Sequence, residues 1–313
     1  MDFLYTLASL RNPVLNAIMQ AVTYFGEELL FMAVALVLFW CVDKWKGYYI
    51  LAVGFLGTIA TQWLKLVYRV PRPWKRDPSI LVPSAKSGAT GYSFPSGHSQ
   101  SAVCTFGGIA RFAKKTWLRI VLILLFALVA FSRMYLGAHF PTDVAVGLAI
   151  GIVLVFVMYP IVQRASKSPR WMYGLLGCMI LINIAYVAYV SLYPFPADVM
   201  LGDNYTDNYL EGLANGWKLL GALLGLTLAY TVDWKKLHFS EKAPLLGQIC
   251  KIVIGLLLVV GIQKGLKPVF KMISEKPYWD AIRYFLVVVF AGAIWPITFP
   301  IWQKVGVKKT SKS

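Results

Sequence analysis

The residues of this chain best suited to chemistry fall in three stretches: K-L-V-Y-R-V-P-R-P at 65–73, P-S-G-H at 95–98 and S-R-M-Y-L-G-A-H-F-P-T-D at 132–143. In the first, Lys65, Arg69 and Arg72 stand at i, i+4 and i+7, so they share one face for as long as a helix lasts. Three cations so placed repel one another unless an anion lies among them. Arg72 offers a planar fork for phosphate-like oxygens and Lys65 a point charge. The blander reading is a basic collar snorkelling at a helix end. In the second stretch Ser96 suits a helix N-cap. The amides of Gly97 and His98 then point out of the helix start, where the dipole favours an anion. Gly97 allows close backbone approach, and His98 adds a titratable donor. A capped helix with an incidental histidine is the alternative. In the third, Arg133 stands near the end of an apolar run, His139 in the following loop, and Asp143 four residues further on. Asp143 can accept a hydrogen bond from one imidazole nitrogen, leaving the other as nucleophile or base. A His-Asp pair that only ties a loop down would not explain an arginine at the same place, since ionisable groups inside apolar runs are costly and usually functional. His238, the third histidine, lies in a basic loop and is incidental.

The rest of the chain reads as the scaffold for these residues. Its 313 residues are 58% hydrophobic with a mean hydropathy of +0.63, and the apolar residues gather in windows of about 20, enough to cross a bilayer. The fold class expected is an all-α polytopic membrane protein: a six-span core bundle plus about three C-terminal transmembrane helices. The nine expected spans cover residues 22–42, 47–68, 95–115, 117–136, 141–163, 171–192, 212–232, 247–270 and 281–302. Residues 1–20, interrupted by Asn12-Pro13, read as an interfacial or re-entrant helix. The chain divides into this segment, a core at 21–192 carrying all three stretches, an acidic loop at 193–211, the C-terminal helices at 212–303 and a basic tail at 304–313. No internal repeat is evident.

The net charge of +17 does not signal nucleic acid, because the basic residues sit between apolar runs. They fit anionic headgroups and the positive-inside bias instead. Loops after the first, third, fifth and seventh spans, with the tail, hold most of the lysines and arginines and are expected in the cytoplasm. All three stretches and the acidic loop, with Asp198, Asp203, Asp207 and Glu211, then face the other side. That loop reads as a solvated segment, with cation binding or the shielding of the site from wrong anions as rivals. Cys41, Cys104, Cys178 and Cys250 read as packing residues rather than disulfides or metal ligands. The N-terminus has no basic n-region or cleavage site, so no signal peptide is expected to be removed. Asn204-Tyr205-Thr206 matches a glycosylation acceptor only as short motifs often do.

Taken in order, K-x6-R-P (Lys65, Arg72, Pro73), P-S-G-H (Pro95 to His98) and S-R-x5-H-x3-D (Ser132, Arg133, His139, Asp143) resemble the tripartite signature of the type 2 phosphatidic acid phosphatase superfamily, with every motif position matched. The resemblance covers residues 20–165 and implies a phosphomonoester or diphosphate hydrolase that needs no metal or other cofactor. It implies His139 as nucleophile, Asp143 as the group that orients it, and His98 as the acid that protonates the leaving group. Lys65, Arg72, Ser96, Gly97 and Arg133 would hold the phosphoryl oxygens, which suits in-line phosphoryl transfer stabilised by cations and helix-start amides. Arg69 lies outside the motif.

A site at headgroup depth among apolar helices suits a lipid phosphate as partner, with membrane lipids around it and no nucleic acid. The nine-span layout resembles the sphingosine-1-phosphate phosphatase and glucose-6-phosphatase branches, and S-R-M-Y-L-G-A-H is closest to the sphingoid-phosphate branch. A bacterial inner-membrane enzyme with an extracytoplasmic site is expected; undecaprenyl diphosphate, phosphatidic acid, phosphatidylglycerol phosphate and a sphingoid phosphate all remain open as substrates. Three rivals are a phosphate-lipid binding or transport protein, a sugar phosphatase, and a vanadate-dependent haloperoxidase. Pure binding needs neither an oriented nucleophile nor an acid, and a multispan apolar scaffold fits a lipid better than a halide. The sequence assigns no oligomeric state.

Overall fold

Prolines and cap residues divide the chain much as its sequence implies. The structure, a computed structural model, describes residues 1–85, 91–200, 205–274 and 276–306. Asp203, Asn204 of the acceptor motif and tail residues Lys308, Lys309 and Lys312 lie outside the described residues, as do the side chains of Asp198 and Asp207. The helices are α1 (Asp2–Ser9), α2 (Pro13–Thr23), α3 (Glu28–Val37), α4 (Lys44–Tyr68), α5 (Pro73–Arg76), α6 (Gly97–Ala102), α7 (Gly108–Phe112), α8 (Thr116–Tyr135), α9 (Pro141–Ala165), α10 (Pro169–Leu192), α11 (Ala197–Met200), α12 (Glu211–Val232), α13 (Leu245–Ile273), α14 (Tyr278–Val289) and α15 (Phe299–Trp302). Among the described residues there is no strand. Pro13, Pro141 and Pro169 each open a helix, where the missing N–H costs nothing.

Wide π turns carry several of these helices onward. Leu38–Val42 extends α3, Val103–Gly107 joins α6 to α7, and Phe290–Ile294 continues α14. Among the described residues six helices are long and apolar enough to cross a membrane, or seven if the pair Pro13–Gly26 and Glu28–Val42, bent by 52°, is one span. Of the nine expected spans, that at 95–115 is helical only from Gly97 to Phe112, and α12 is diluted by Glu211, Asn215 and Lys218. The expected span at 22–42 is also interrupted, by the 3-10 turn Tyr24–Gly26. A Cβ on Gly26 would lie 2.9 Å from the His98 carbonyl oxygen, so the chain turns where only glycine fits. The expected loop at 193–211 is partly helical, through α11 and the π turn Tyr205–Leu210.

Packing groups the chain into two compact units: Met1–Val34, Tyr49–Ile161 and Ala188–Leu213 in the first, Ala35–Tyr48, Val162–Val187 and Ala214–Ser313 in the second. In the first unit α2 and α6 pack on α8. Ala102, Phe106, Ala110, Leu122 and Val129 form one buried cluster there, and Val82, Ala85, Tyr135 and Leu136 another. The outer faces are apolar as well, with Ile120, Val121 and Leu124 on α8 and Val153, Phe156 and Val157 on α9 exposed. Such surface is costly against water and at ease against lipid chains, so the protein is an integral, multi-pass membrane protein. Within the second unit, Lys44 Nζ pairs with Asp233 at 2.7 Å and lies 4.0 Å over the Phe239 ring. Gly221 permits the α12–α14 crossing, since a Cβ there would come within 1.9 Å of the Ala281 carbonyl oxygen.

Candidate active site

The first stretch is split by a turn rather than carried on one helix. Lys65 lies in the last turn of α4, and Arg69 adopts a left-handed conformation with φ 49°. Position 69 caps the helix in a conformation that usually takes glycine. Pro71 and Pro73 then keep the chain out of helix, and Arg72 stands extended just before α5. The shared helical face expected of Lys65, Arg69 and Arg72 is thus lost, but the loop returns Arg72 to the site. Only 4% exposed, Arg72 donates from Nε to the Gly91 carbonyl at 2.8 Å and from Nη1 to the Ala138 carbonyl at 3.1 Å. Its guanidinium also lies over Trp74, 5.2 Å from the ring centre.

Arg72 Nη1 is 3.1 Å from His139 Nε2. A guanidinium can only donate, so Nε2 is the lone-pair nitrogen and Nδ1 carries the proton. Nδ1 faces Asp143 Oδ2 at 3.4 Å and Ser93 Oγ at 3.5 Å, a loose contact of the kind that tightens when substrate arrives. Asp143 is itself held firmly, because Oδ2 accepts from the Phe140 amide at 2.8 Å and from the Ser93 hydroxyl. His139 sits in the loop between α8 and α9 at 1% exposure. Burial pushes its imidazole well below the usual range, and Arg72, Arg133, Lys65 and His98 push it further by repulsion. The ring is therefore neutral at pH 7, with its lone pair on the nitrogen that faces Arg72.

Arg133, also 1% exposed, lies in the last turn of α8 and donates from Nη1 to Thr23 Oγ1 at 2.6 Å. Its carbonyl accepts from the amides of Ala138 and His139 at 2.9 and 3.2 Å, so one turn fixes both the cation and the histidine. Ser96 caps α6, accepting from the Ser99 amide at 3.4 Å and the Ser99 hydroxyl at 2.9 Å. The Ser96 amide donates to the Asp143 carbonyl at 2.9 Å, which ties the second stretch to the third. A Cβ on Gly147 would meet the Ser96 carbonyl oxygen at 2.5 Å, so α9 can approach only through that glycine. Gly97 has nothing within 4 Å of where a Cβ would stand, which leaves room beside its amide. His98 Nε2 is buried with no hydrogen-bond partner among the described residues. Lys65 lies within electrostatic reach of Arg72, Arg133, Asp143 and Glu211.

Lys65, Arg72, Arg133, His98, His139 and Asp143 are thus brought into one charged cluster, with Ser96 and Gly97 at the helix start beside it. A cradle of three cations facing a neutral imidazole can bind a phosphate dianion and present a nucleophile to it. Sequence reasoning missed Thr23 and Ser93, and it took Glu211 only as part of a solvated acidic loop rather than as a neighbour of Lys65. Ser93 stands two residues before the P-S-G-H motif, so proximity offered a weak signal for it. Thr23 had none.

Residues 45–167 match the PAP2 superfamily, and residues 217–305 match the transmembrane extension of PAP2 superfamily phosphatases. The chain is 30% identical over 166 residues to Phosphatidylglycerophosphatase B of Bacillus subtilis, covering 48% of this chain and 76% of that protein. It is 28% identical over 152 residues to Undecaprenyl-diphosphatase BcrC of the same organism, covering 46% and 75%. An Undecaprenyl-diphosphatase of Sulfolobus acidocaldarius is 28% identical over 158 residues, covering 50% and 73%. No solved structure matches the chain significantly. Complete motifs, the clustering of their side chains and these matches agree: the chain belongs to the PAP2 superfamily, the type 2 phosphatidic acid phosphatases, and is a membrane-embedded phosphoric ester hydrolase.

Proposed function

We propose that the protein hydrolyses a lipid phosphomonoester or diphosphate through a phosphohistidine at His139. The observation that carries this reading is the 3.1 Å approach of Arg72 Nη1 to His139 Nε2, which sets the lone pair beside a group made to hold phosphate. When substrate binds, its phosphoryl oxygens take up donors from Lys65, Arg72 and Arg133 and from the amide of Gly97. Nε2 attacks phosphorus, and the bond from phosphorus to the leaving oxygen breaks. His98 takes up a proton from solvent once the phosphate anion offsets the cations around it, and it gives that proton to the leaving oxygen, while Asp143 steadies the Nδ1–H as charge builds on the ring. Water then attacks the phosphohistidine, His98 takes its proton, and the P–N bond breaks to release inorganic phosphate.

A lipid substrate is supported by the apolar outer faces of the first unit and by the names of the relatives, whose substrates are phosphatidylglycerophosphate and undecaprenyl diphosphate. The distribution of basic loops supports an extracytoplasmic site, and the bacterial relatives support a bacterial membrane as its place. The test is phosphate release by the purified protein in detergent with a chelator, from lipid monophosphates, lipid diphosphates and glucose 6-phosphate. Release from a lipid class, lost by at least about a thousandfold in His139→Ala with vanadate binding kept, is the expected result. Turnover retained by a folded His139→Ala protein would refute the nucleophile, and release from glucose 6-phosphate alone would refute the lipid.

A further inference from the structure

Lys65 also forms one wall of a small cavity. Gln62, Gly91, Tyr92, Asn208 and Glu211 line it with Lys65, and its volume is about 20 Å³. That is space for one water-sized group and no more. Gln62 and Lys65 are three residues apart on α4, so they present neighbouring polar ends to the same space. Asn208 comes from the π turn Tyr205–Leu210 and Glu211 opens α12 directly after it. Wide turns of this kind recur where a helix is bent to serve a site.

A carboxylate in this position needs a reason. Glu211 lies within electrostatic reach of Lys65, and Lys65 within reach of His139. An acidic side chain beside a phosphate cradle steadies Lys65, and it also opposes the anion the cradle collects unless the substrate brings a donor that the carboxylate can accept. We infer that this cavity is a subsite for a single hydrogen-bond donor, a hydroxyl or an ammonium, carried by the substrate close to its phosphate, and that Glu211 selects for it. The inference rests on the proposed lipid phosphatase reading. The same carboxylate works in the other direction against a diphosphate, whose second phosphate would add charge next to Glu211. Gln62 and Asn208 complete the subsite with amide groups that can accept from a hydroxyl or ammonium and donate to a hydroxyl.

The experiment measures kcat/KM of the purified full chain for phosphatidylglycerol phosphate, which offers a hydroxyl on the carbon next to its phosphate-bearing carbon, for sphinganine 1-phosphate, which offers an ammonium at that position and a hydroxyl one carbon further, and for undecaprenyl diphosphate, which offers neither. Glu211→Gln keeps the size of the side chain and removes its charge. The expected result is a loss of about tenfold on a donor-bearing substrate and a gain on the diphosphate, because a hydrogen bond to a charged acceptor is lost and a repulsion is relieved. A loss on the hydroxyl substrate alone, or on the ammonium substrate alone, supports the subsite and names the donor. Gln62→Leu, which fills the cavity from a different helix, is expected to lower the donor-bearing substrates relative to the diphosphate, and stands in if the first variant does not fold. Equal losses on all three substrates, or none on any, would overturn the inference and leave Glu211 as a partner of Lys65 only. Absence of turnover by the wild type on every lipid would instead defeat the lipid phosphatase reading, a separate and recognisable outcome.

Discussion

At His139 the proposed chemistry depends on a proton being absent. Nε2 can attack only while its lone pair is free, and burial together with the repulsion of Arg72, Arg133, Lys65 and His98 holds the ring neutral, against the carboxylate of Asp143 on its Nδ1 side. The acid limb of kcat/KM is therefore expected well below pH 6.5, and a pH profile of phosphate release with a limb at or above that value would count against the assignment. The same shift acts on stability. An unfolded histidine takes up a proton near pH 6.5 while the folded one does not, so stability is lost as pH falls below that point, by up to about 1.4 kcal/mol per unit. His139→Gln should flatten this slope in thermal unfolding scans taken between pH 5 and 7. Residues such as His139, Asp143, Arg72 and Arg133 were legible in the sequence because ionisable groups are rare in apolar runs and their spacing is distinctive. Thr23 and Ser93 were not, because short hydroxyl side chains occur throughout such helices and only folding reveals which of them meets Arg133 or Asp143.

Among the elements, the connection between α8 and α9 carries the greatest burden. It must turn within residues 136–140 and still aim His139 at Arg72. Gly137 makes the turn with φ 75°, and a Cβ there would come within 2.0 Å of the Ile80 carbonyl oxygen. The Val82 amide fixes the same corner by donating to the Leu136 carbonyl at 3.1 Å. Gly137→Ala is expected to cost about 2 kcal/mol and, because His139 is two residues away, to reduce kcat by at least about tenfold at temperatures where the protein is still folded. Thermal unfolding and an assay well below the transition separate the two effects; full kcat in the variant would mean that the loop tolerates a different path. Helix starts such as Ser96 and Pro141 could be read directly, since caps and prolines act locally. The interruption at Tyr24–Gly26 could not, because its cause is the close packing of Gly26 on His98, far away in sequence.

At the level of the whole chain, apolar runs and packing units draw different boundaries. The runs separate 21–192 from 212–303, but residues 162–187 pack with the C-terminal helices. The reason lies in particular contacts: Asn183 Nδ2 donates to the Gly216 carbonyl at 3.0 Å, and the Tyr173 hydroxyl to Thr231 Oγ1 at 3.0 Å. Every residue given a role in the phosphoryl transfer belongs to the first unit, so the stability of the second can be perturbed without touching the chemistry. Its most exposed dependence is the pair Lys44–Asp233, whose side chains are 15% and 9% exposed and whose aspartate also accepts from the Phe239 amide at 3.0 Å. Asp233→Ala strands a largely buried ammonium and leaves that amide without its acceptor, at a cost of about 3–5 kcal/mol. Thermal unfolding in detergent should register this as a lower Tm, while kcat/KM per folded molecule stays within about twofold of wild type. Adding Lys44→Met should recover most of the lost Tm, since it removes the stranded charge rather than restoring the pair. A fall in kcat/KM at unchanged Tm would mean that Asp233 acts on the reaction, and the division of labour between the two units would have to be redrawn.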